Sequence, residues 1–134
     1  MKVVFDTNVF IAAFLTEGIC SKLLLRARKK QFELITCSFI LQEFERVLRK
    51  KFLATKSDVQ DAVGLISDAV QVVVNPTQNV SGVCSDAEDD NILSCVLAAD
   101  ADYLVTGDTD LLRLKYFKGA QIITPRDFEQ FFKN

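Results

Sequence analysis

Residues 86–108 read DAEDDNILSCVLAADADYLVTGD, and the two halves of this stretch have different periods. Ile92, Leu93, Val96, Leu97 and Ala99 recur at helical spacing behind a start near Asp86. Tyr103-Leu104-Val105-Thr106 is a short apolar run halted by Gly107, which predicts a buried strand. A helix leading directly into a strand is the repeating unit of an α/β sheet, and the same alternation extends in both directions. Towards the N-terminus, Val3-Val4-Phe5 is a strand that ends abruptly at Asp6. The stretch after it looks helical, with Ser21 as a cap for Leu23, Leu24 and Leu25 and a basic end at Arg26, Arg28, Lys29 and Lys30. A second strand is predicted over 32–36, and Ser38 is placed to cap a helix over 39–51. Ser57 with Gln60 has capping-box spacing for a helix over 58–69. A strand over 71–74 stops at Asn75-Pro76, and a polar loop, the one candidate flexible insertion, runs on through Cys84. Towards the C-terminus, 121–123 reads as a last strand, and Thr124-Pro125 opens a terminal helix through Phe128, Phe131 and Phe132.

Strands separated by helices of ten or more residues pair in parallel through crossovers that cover both faces of the sheet. The expectation is therefore a three-layer α/β/α sandwich around a central, mostly parallel sheet. Ligands of such sheets bind outside the carboxyl ends of the strands, and Asp6 and Asp108 both fall there.

With 134 residues, 49% hydrophobic and 25% charged, the chain has the size of one domain, 1–134, with one core. It contains no histidine, which excludes Ser-His and Cys-His nucleophiles, His-containing zinc sites and imidazole acid–base chemistry. The cysteines at 20, 37, 84 and 95 form no CxxC pair, so they read as reduced, mostly buried small apolar groups of a cytoplasmic protein. No apolar run approaches the length of a signal peptide core or a membrane span.

Chemistry must then rest on carboxylates. Glu43 has Phe39, Ile40 and Val47 on its side of the predicted helix, whereas Glu45 pairs with Arg49 as an ordinary surface pair. A carboxylate on an apolar stripe costs several kcal/mol of desolvation unless cations or donors meet it, so Glu43 is expected to face a polar site. Asp86, Glu88, Asp89 and Asp90 crowd one helix start, more acid than dipole matching requires. Leu93 and Leu97 aim Asp90 inward, and Asp89, beside Ile92, Leu93 and Val96, is nearly as well placed. Carboxylate oxygens without His or Cys select hard cations, Mg²⁺ or Mn²⁺. Such a metal suits phosphodiester hydrolysis, and equally a phosphomonoesterase.

The net charge of −2 hides an asymmetry: residues 22–56 hold ten basic residues against three acidic, while the rest of the chain holds six against fifteen. A basic region beside an acidic one fits cleavage of a polyanion. Arg46, Arg49 and Lys50, on the same helix as Glu43, are the candidate nucleic-acid-binding cations.

Taken in order, FDTNVFIAAF (5–14), ILQEFERVLRKKF (40–52), CSDAEDDNILSCVLAADADYLVTGDTDLL (84–112) and IITPRDFEQFF (122–132) resemble a PIN domain. The likeness is to the small single-domain proteins grouped with toxin nucleases of prokaryotic toxin–antitoxin pairs. The resemblance implies a Rossmann-like sandwich whose acidic quartet binds Mg²⁺ or Mn²⁺ and hydrolyses RNA. On that pattern Asp6, Glu43, Asp90 and Asp108 are the four catalytic and metal-binding positions. Counting back from LVTGD favours Asp90 over Asp89 for the third. Asp110 matches an accessory acidic position, and Asn8 and Thr106 match polar positions that orient the carboxylates. A small antitoxin and a homodimer are the partners it implies. Two rivals differ in class. A haloacid-dehalogenase-like phosphatase needs a second Asp where this chain has Asn8, and a non-catalytic RNA- or antitoxin-binding module is separated from a nuclease by metal-dependent turnover.

Overall fold

A computed structural model describes residues 1–133. Strands β1 (Lys2–Phe5), β2 (Glu33–Cys37), β3 (Val72–Val74), β4 (Tyr103–Val105), β5 (Tyr116–Phe117) and β6 (Ala120–Ile123) form one sheet in the order β3-β2-β1-β4-β6-β5. All neighbours pair in parallel except β5, which runs antiparallel to β6 as the arm of a hairpin. The middle strands are apolar on both faces because helices cover both. Val3, Val4, Phe5, Leu34, Leu104 and Val105 are fully buried, each side chain contributing about 1.5–3 kcal/mol of burial. Helices α1 (Thr7–Leu15), α2 (Ile19–Arg28), α3 (Ser38–Lys51) and α4 (Lys56–Ala69) pack among themselves, and α5 (Ala87–Ala99) packs on β1, β2 and β3. Helix α6 (Thr109–Leu114) lies against β6, and α7 (Pro125–Glu129) runs into a 3₁₀ turn at Gln130–Phe132. The three-layer sandwich expected from the alternation is the observed fold.

Several local expectations shift. One helix was expected between the first two strands; there are two, and Ser21 lies inside α2 with its hydroxyl donating to the carbonyls of Ala13 and Thr16 at the break. Ser21 is therefore the staple between the helices, and Gly18 occupies the cap position. The capping box of α4 is Thr55 with Asp58, not Ser57 with Gln60, because Thr55 is the last extended residue and its hydroxyl accepts from the Asp58 N–H. Cys37 holds the cap position of α3, so Ser38 is its first helical residue. The 75–85 loop is tied down: Val80 N–H donates to Ser94, and Gly82 and Cys84 N–H groups donate to Asp90. Gly82 takes φ +73°, a left-handed conformation open to glycine. No single helix among the described residues is long and apolar enough to cross a membrane.

The chain leaves β1 towards β2 and β3 on one side, and β4 leads to β6 and β5 on the other. Strand order therefore reverses between β1 and β4, which opens a crevice at their carboxyl ends. Asp6 follows β1, Thr106 follows β4, and Asp6 N–H still donates to Val105 O at 3.0 Å. The ladder thus extends one residue past β1 and fixes Asp6 at the crevice floor.

Candidate acidic site

Asp6 is 6% exposed and receives a 2.7 Å hydrogen bond from the buried Thr106 hydroxyl. The same Thr106 oxygen accepts from Asp108 N–H at 3.0 Å, so one hydroxyl joins the ends of two adjacent strands. Burial pushes the Asp6 pKa up; the Thr106 hydroxyl and the Thr7 N–H draw it back, and the Asp108 charge raises it again. Asp108 caps α6, its Oδ1 accepting from Asp110 N–H at 2.8 Å and Leu111 N–H at 3.3 Å. Capping uses one oxygen of Asp108 and fixes the direction of the other.

The adjacent aspartates of α5 take different partners. Asp90 Oδ1 accepts from Cys84 N–H at 2.8 Å and Oδ2 from Gly82 N–H at 3.0 Å, so both oxygens are engaged by the loop. Asp89 is joined by Asp108 and Asp110: one carboxylate oxygen from each lies within 4.8 Å of the others. Burial, then the charges of Asp108, Asp86, Asp6 and Asp110, push the Asp89 pKa up to about 6. The count back from LVTGD points to Asp90; successive helical residues differ by about 100° in direction, and here Asp90 is turned to the loop amides while Asp89 lies with Asp108 and Asp110. Beside them, burial and the Asp90 and Asp89 charges push the Cys84 thiol up to about 11, which keeps it protonated.

Glu43 sits a turn and a half into α3, its side chain 13% exposed. Its Oε2 is buried without a hydrogen-bond partner. Burial raises its pKa, nearby Thr7 lowers it, the Glu88 and Asp6 charges raise it further, and Arg46 lowers it. Thr7 Oγ1 is near enough to steady that charge, yet among the described residues neither it nor Glu43 Oε2 makes a hydrogen bond. Arg46 approaches Glu43 at 3.6 Å and Glu88 at 3.5 Å. Arg49 and Lys50 are exposed in the last turn of α3, about 9–10 Å farther along the axis than Glu43 at 1.5 Å per residue. Asn8 is exposed and makes no hydrogen bond to these carboxylates among the described residues; its buried neighbour Thr7 is the polar group beside Glu43. Sequence reasoning passed over Thr7, although a polar residue at the first position of a helix otherwise buried at Val9, Phe10 and Ile11 was its signal.

Asp89 thus lies against the charges of Asp108, Asp110 and Asp6, Glu43 lies against that of Asp6, and the buried Glu43 Oε2 is met by Arg46 at 3.6 Å without a hydrogen bond. Like charges held this close with so few donors are what a bound cation relieves. The donors are all oxygens, which suits Mg²⁺ or Mn²⁺.

The PIN domain family model matches residues 2–110. The chain belongs to the PIN domain family. A protein of Methanocaldococcus jannaschii, itself uncharacterized, is 32% identical over 146 aligned positions spanning 99% of this chain and 92% of the relative. The crystal structure of VapBC2 from Rickettsia felis, bound to a DNA fragment from their promoter, superposes with a TM-score of 0.69 over 92% of this chain and 98% of the matched one. At 16% identity that likeness is one of fold. PIN domains are typically nucleases that use a divalent metal, and here Asp89, Asp108 and Asp110 lie together, with Asp6 near Asp89, at the crevice between β1 and β4.

Proposed function

We propose that this PIN domain, acting as a single unit over 1–134, is a metal-dependent endoribonuclease that hydrolyses RNA phosphodiester bonds. The observation that carries the reading is the convergence of Asp89, Asp108 and Asp110 oxygens within 4.8 Å, beside buried Asp6 and the largely buried Glu43 carboxylate. Asp6, Glu43, Asp89 and Asp108 are the residues that would hold Mg²⁺ or Mn²⁺, with Asp110 as an accessory. Asp90 supports the site through the loop it anchors. A hard cation held there would offset charge on the phosphoryl group and lower the pKa of a water, supplying the nucleophile that a histidine-free site otherwise lacks.

The chain's own groups have separate tasks. Thr106 fixes the Asp6 carboxylate, the α6 cap fixes Asp108, and Thr7 steadies Glu43. Arg46 lies nearest the crevice for phosphate contact, while Arg49 and Lys50 extend the positive surface along α3 for the RNA strand. The likeness in sequence to toxin nucleases supports a toxin role in the cytoplasm, with a small antitoxin as partner and a homodimer as the assembly. Purified protein is expected to cleave RNA in Mg²⁺ or Mn²⁺, to stop with chelator, and to lose turnover on Asp6→Asn while staying folded. Equal cleavage by that variant refutes the nuclease. Hydrolysis of small phosphomonoesters without RNA cleavage favours a phosphatase, and RNA binding without turnover favours a binding module. A short overlapping reading frame encoding a partner that co-purifies supports the toxin role.

A further inference from the structure

Next to the acids, α3 and the first turn of α5 enclose a cleft of about 230 Å³ lined by Phe39, Gln42, Glu43, Arg46 and Glu88. The four α3 residues are spaced i, i+3, i+4 and i+7, a single helix face. Phe39 is only partly buried although it packs on the core, so part of its ring is open to the cleft. Gln42 is exposed and offers a carboxamide with both donor and acceptor. Arg46 spans Glu43 and Glu88, 3.6 and 3.5 Å away, and leaves 47% of its side chain exposed. An aromatic ring, a carboxamide and a guanidinium are the groups that recognise a flat heterocycle by stacking and edge hydrogen bonds. The cleft is too small for an extended ligand, and Glu43 forms part of both its wall and the acidic crevice. A ligand whose phosphate lies at the crevice can therefore extend one flat group into the cleft, which favours a nucleobase over a side chain of a partner protein.

We infer that the cleft between Phe39 and Glu88 is a base-binding subsite that takes one unstacked nucleobase next to the scissile phosphate, with Phe39 as the stacking platform and Gln42 reading the base edge. The inference rests on the proposed nuclease reading and requires an unpaired base at that one position, because a base inside a helix cannot leave its stack to enter.

The test uses the full chain carrying Asp6→Asn in Mg²⁺, so that RNA is bound without turnover, and short single-stranded RNA, the same RNA as a duplex, and the same RNA with single abasic positions. Single strands are expected to bind more tightly than the duplex, and an abasic residue at one position is expected to weaken binding about tenfold, the lower range of base stacking on an aromatic residue. Phe39→Leu, which keeps the apolar packing, is expected to lose the same factor on intact RNA and to lose nothing more on the abasic strand. Gln42→Ala, at an exposed position, is expected to change which base is preferred. Single-strand binding indifferent to the abasic position and to both variants overturns the subsite and assigns the cleft to another occupant, while cleavage by the unsubstituted chain leaves the nuclease reading standing. Binding that depends on Phe39 without any cleavage by the unsubstituted chain refutes the nuclease and, with no scissile phosphate beside the base, overturns the subsite as stated. Equal affinity for duplex and single strand overturns the subsite in either case.

Discussion

Replacing Asp89 with Asn is expected to stabilise the metal-free protein while removing its response to metal. The Asp89 pKa is pushed from 3.8 to about 6 by burial and by Asp108, Asp86, Asp6 and Asp110, a shift equivalent to about 3 kcal/mol at about 1.4 kcal/mol per unit. The residue is 9% exposed, and its carboxylate opens onto the crevice, so solvent screening leaves about 1–2 kcal/mol. The sign follows from the protons: between pH 3.8 and about 6 the folded chain holds the Asp89 proton that the unfolded chain has lost. The contribution of Asp89 therefore falls as pH rises through that window, and the penalty is complete above it. Asn carries no such penalty at any pH. Thermal unfolding in chelator at pH 7.5 is expected to place Asp89→Asn a few °C above the unsubstituted chain, with the gap closing by pH 4. Mn²⁺ is expected to raise the melting temperature of the unsubstituted chain by mass action and to leave the variant nearly unmoved. A variant less stable than the parent at pH 7.5, or a gap that does not depend on pH, refutes the electrostatic account of the site.

Asp90→Asn is expected to lower stability by about 1–3 kcal/mol, because an amide turned towards Gly82 or Cys84 N–H sets donor against donor; faster hydrogen exchange at those amides checks it. Thr106→Val removes the donor to Asp6 and the acceptor for Asp108 N–H, so a loss of about 1–3 kcal/mol in chemical denaturation, and weaker Mn²⁺ binding by calorimetry, are expected. Arg26→Met strips Glu129, whose side chain is 6% exposed, of its bidentate partner and removes the guanidinium over Phe132. A loss of about 3 kcal/mol is expected, with most of it recovered in Arg26→Met/Glu129→Gln, since the uncompensated carboxylate is the larger penalty.

The sheet was legible because its strands have little choice: Val3-Val4-Phe5 and Leu104-Val105 can be apolar on both faces only between two layers of helices. The α1–α2 break was not, since apolar residues run on through Phe14 and Leu15; the helices part at extended Thr16 and Gly18, and the Ser21 hydroxyl reaches back across the break to Ala13. Helix α6 and β5 are short enough that no period establishes itself, and their ends are set by Asp108 and by the hairpin to β6. Within the site, Asp6, Glu43 and Asp108 could be picked out because each breaks an apolar pattern. Asp89 and Asp90 break the same pattern together, and which of them faces the crevice depends on the loop docking from 80 to 84, a contact that helical period cannot express.

That loop accounts for how a short chain keeps four acids in one crevice. An N-terminal turn with Glu88, Asp89 and Asp90 repels itself and the acids of β1 and β4, and a helix so charged would otherwise swing outward. Asp90 offsets this: its two hydrogen bonds to backbone amides carry its charge away from the crevice and hold the first turn of α5 against the loop. Ser94, one turn later, accepts from Val80 N–H and donates to Asp90 O, fixing the same segment a second time. The anchored turn then holds Asp89 against Asp108 at a free-energy penalty that the rest of the fold must offset. The same substitution, Asp to Asn, is expected to stabilise at 89 and destabilise at 90. Neighbouring carboxylates with opposite effects on stability are what separates a residue kept for binding from one kept for folding.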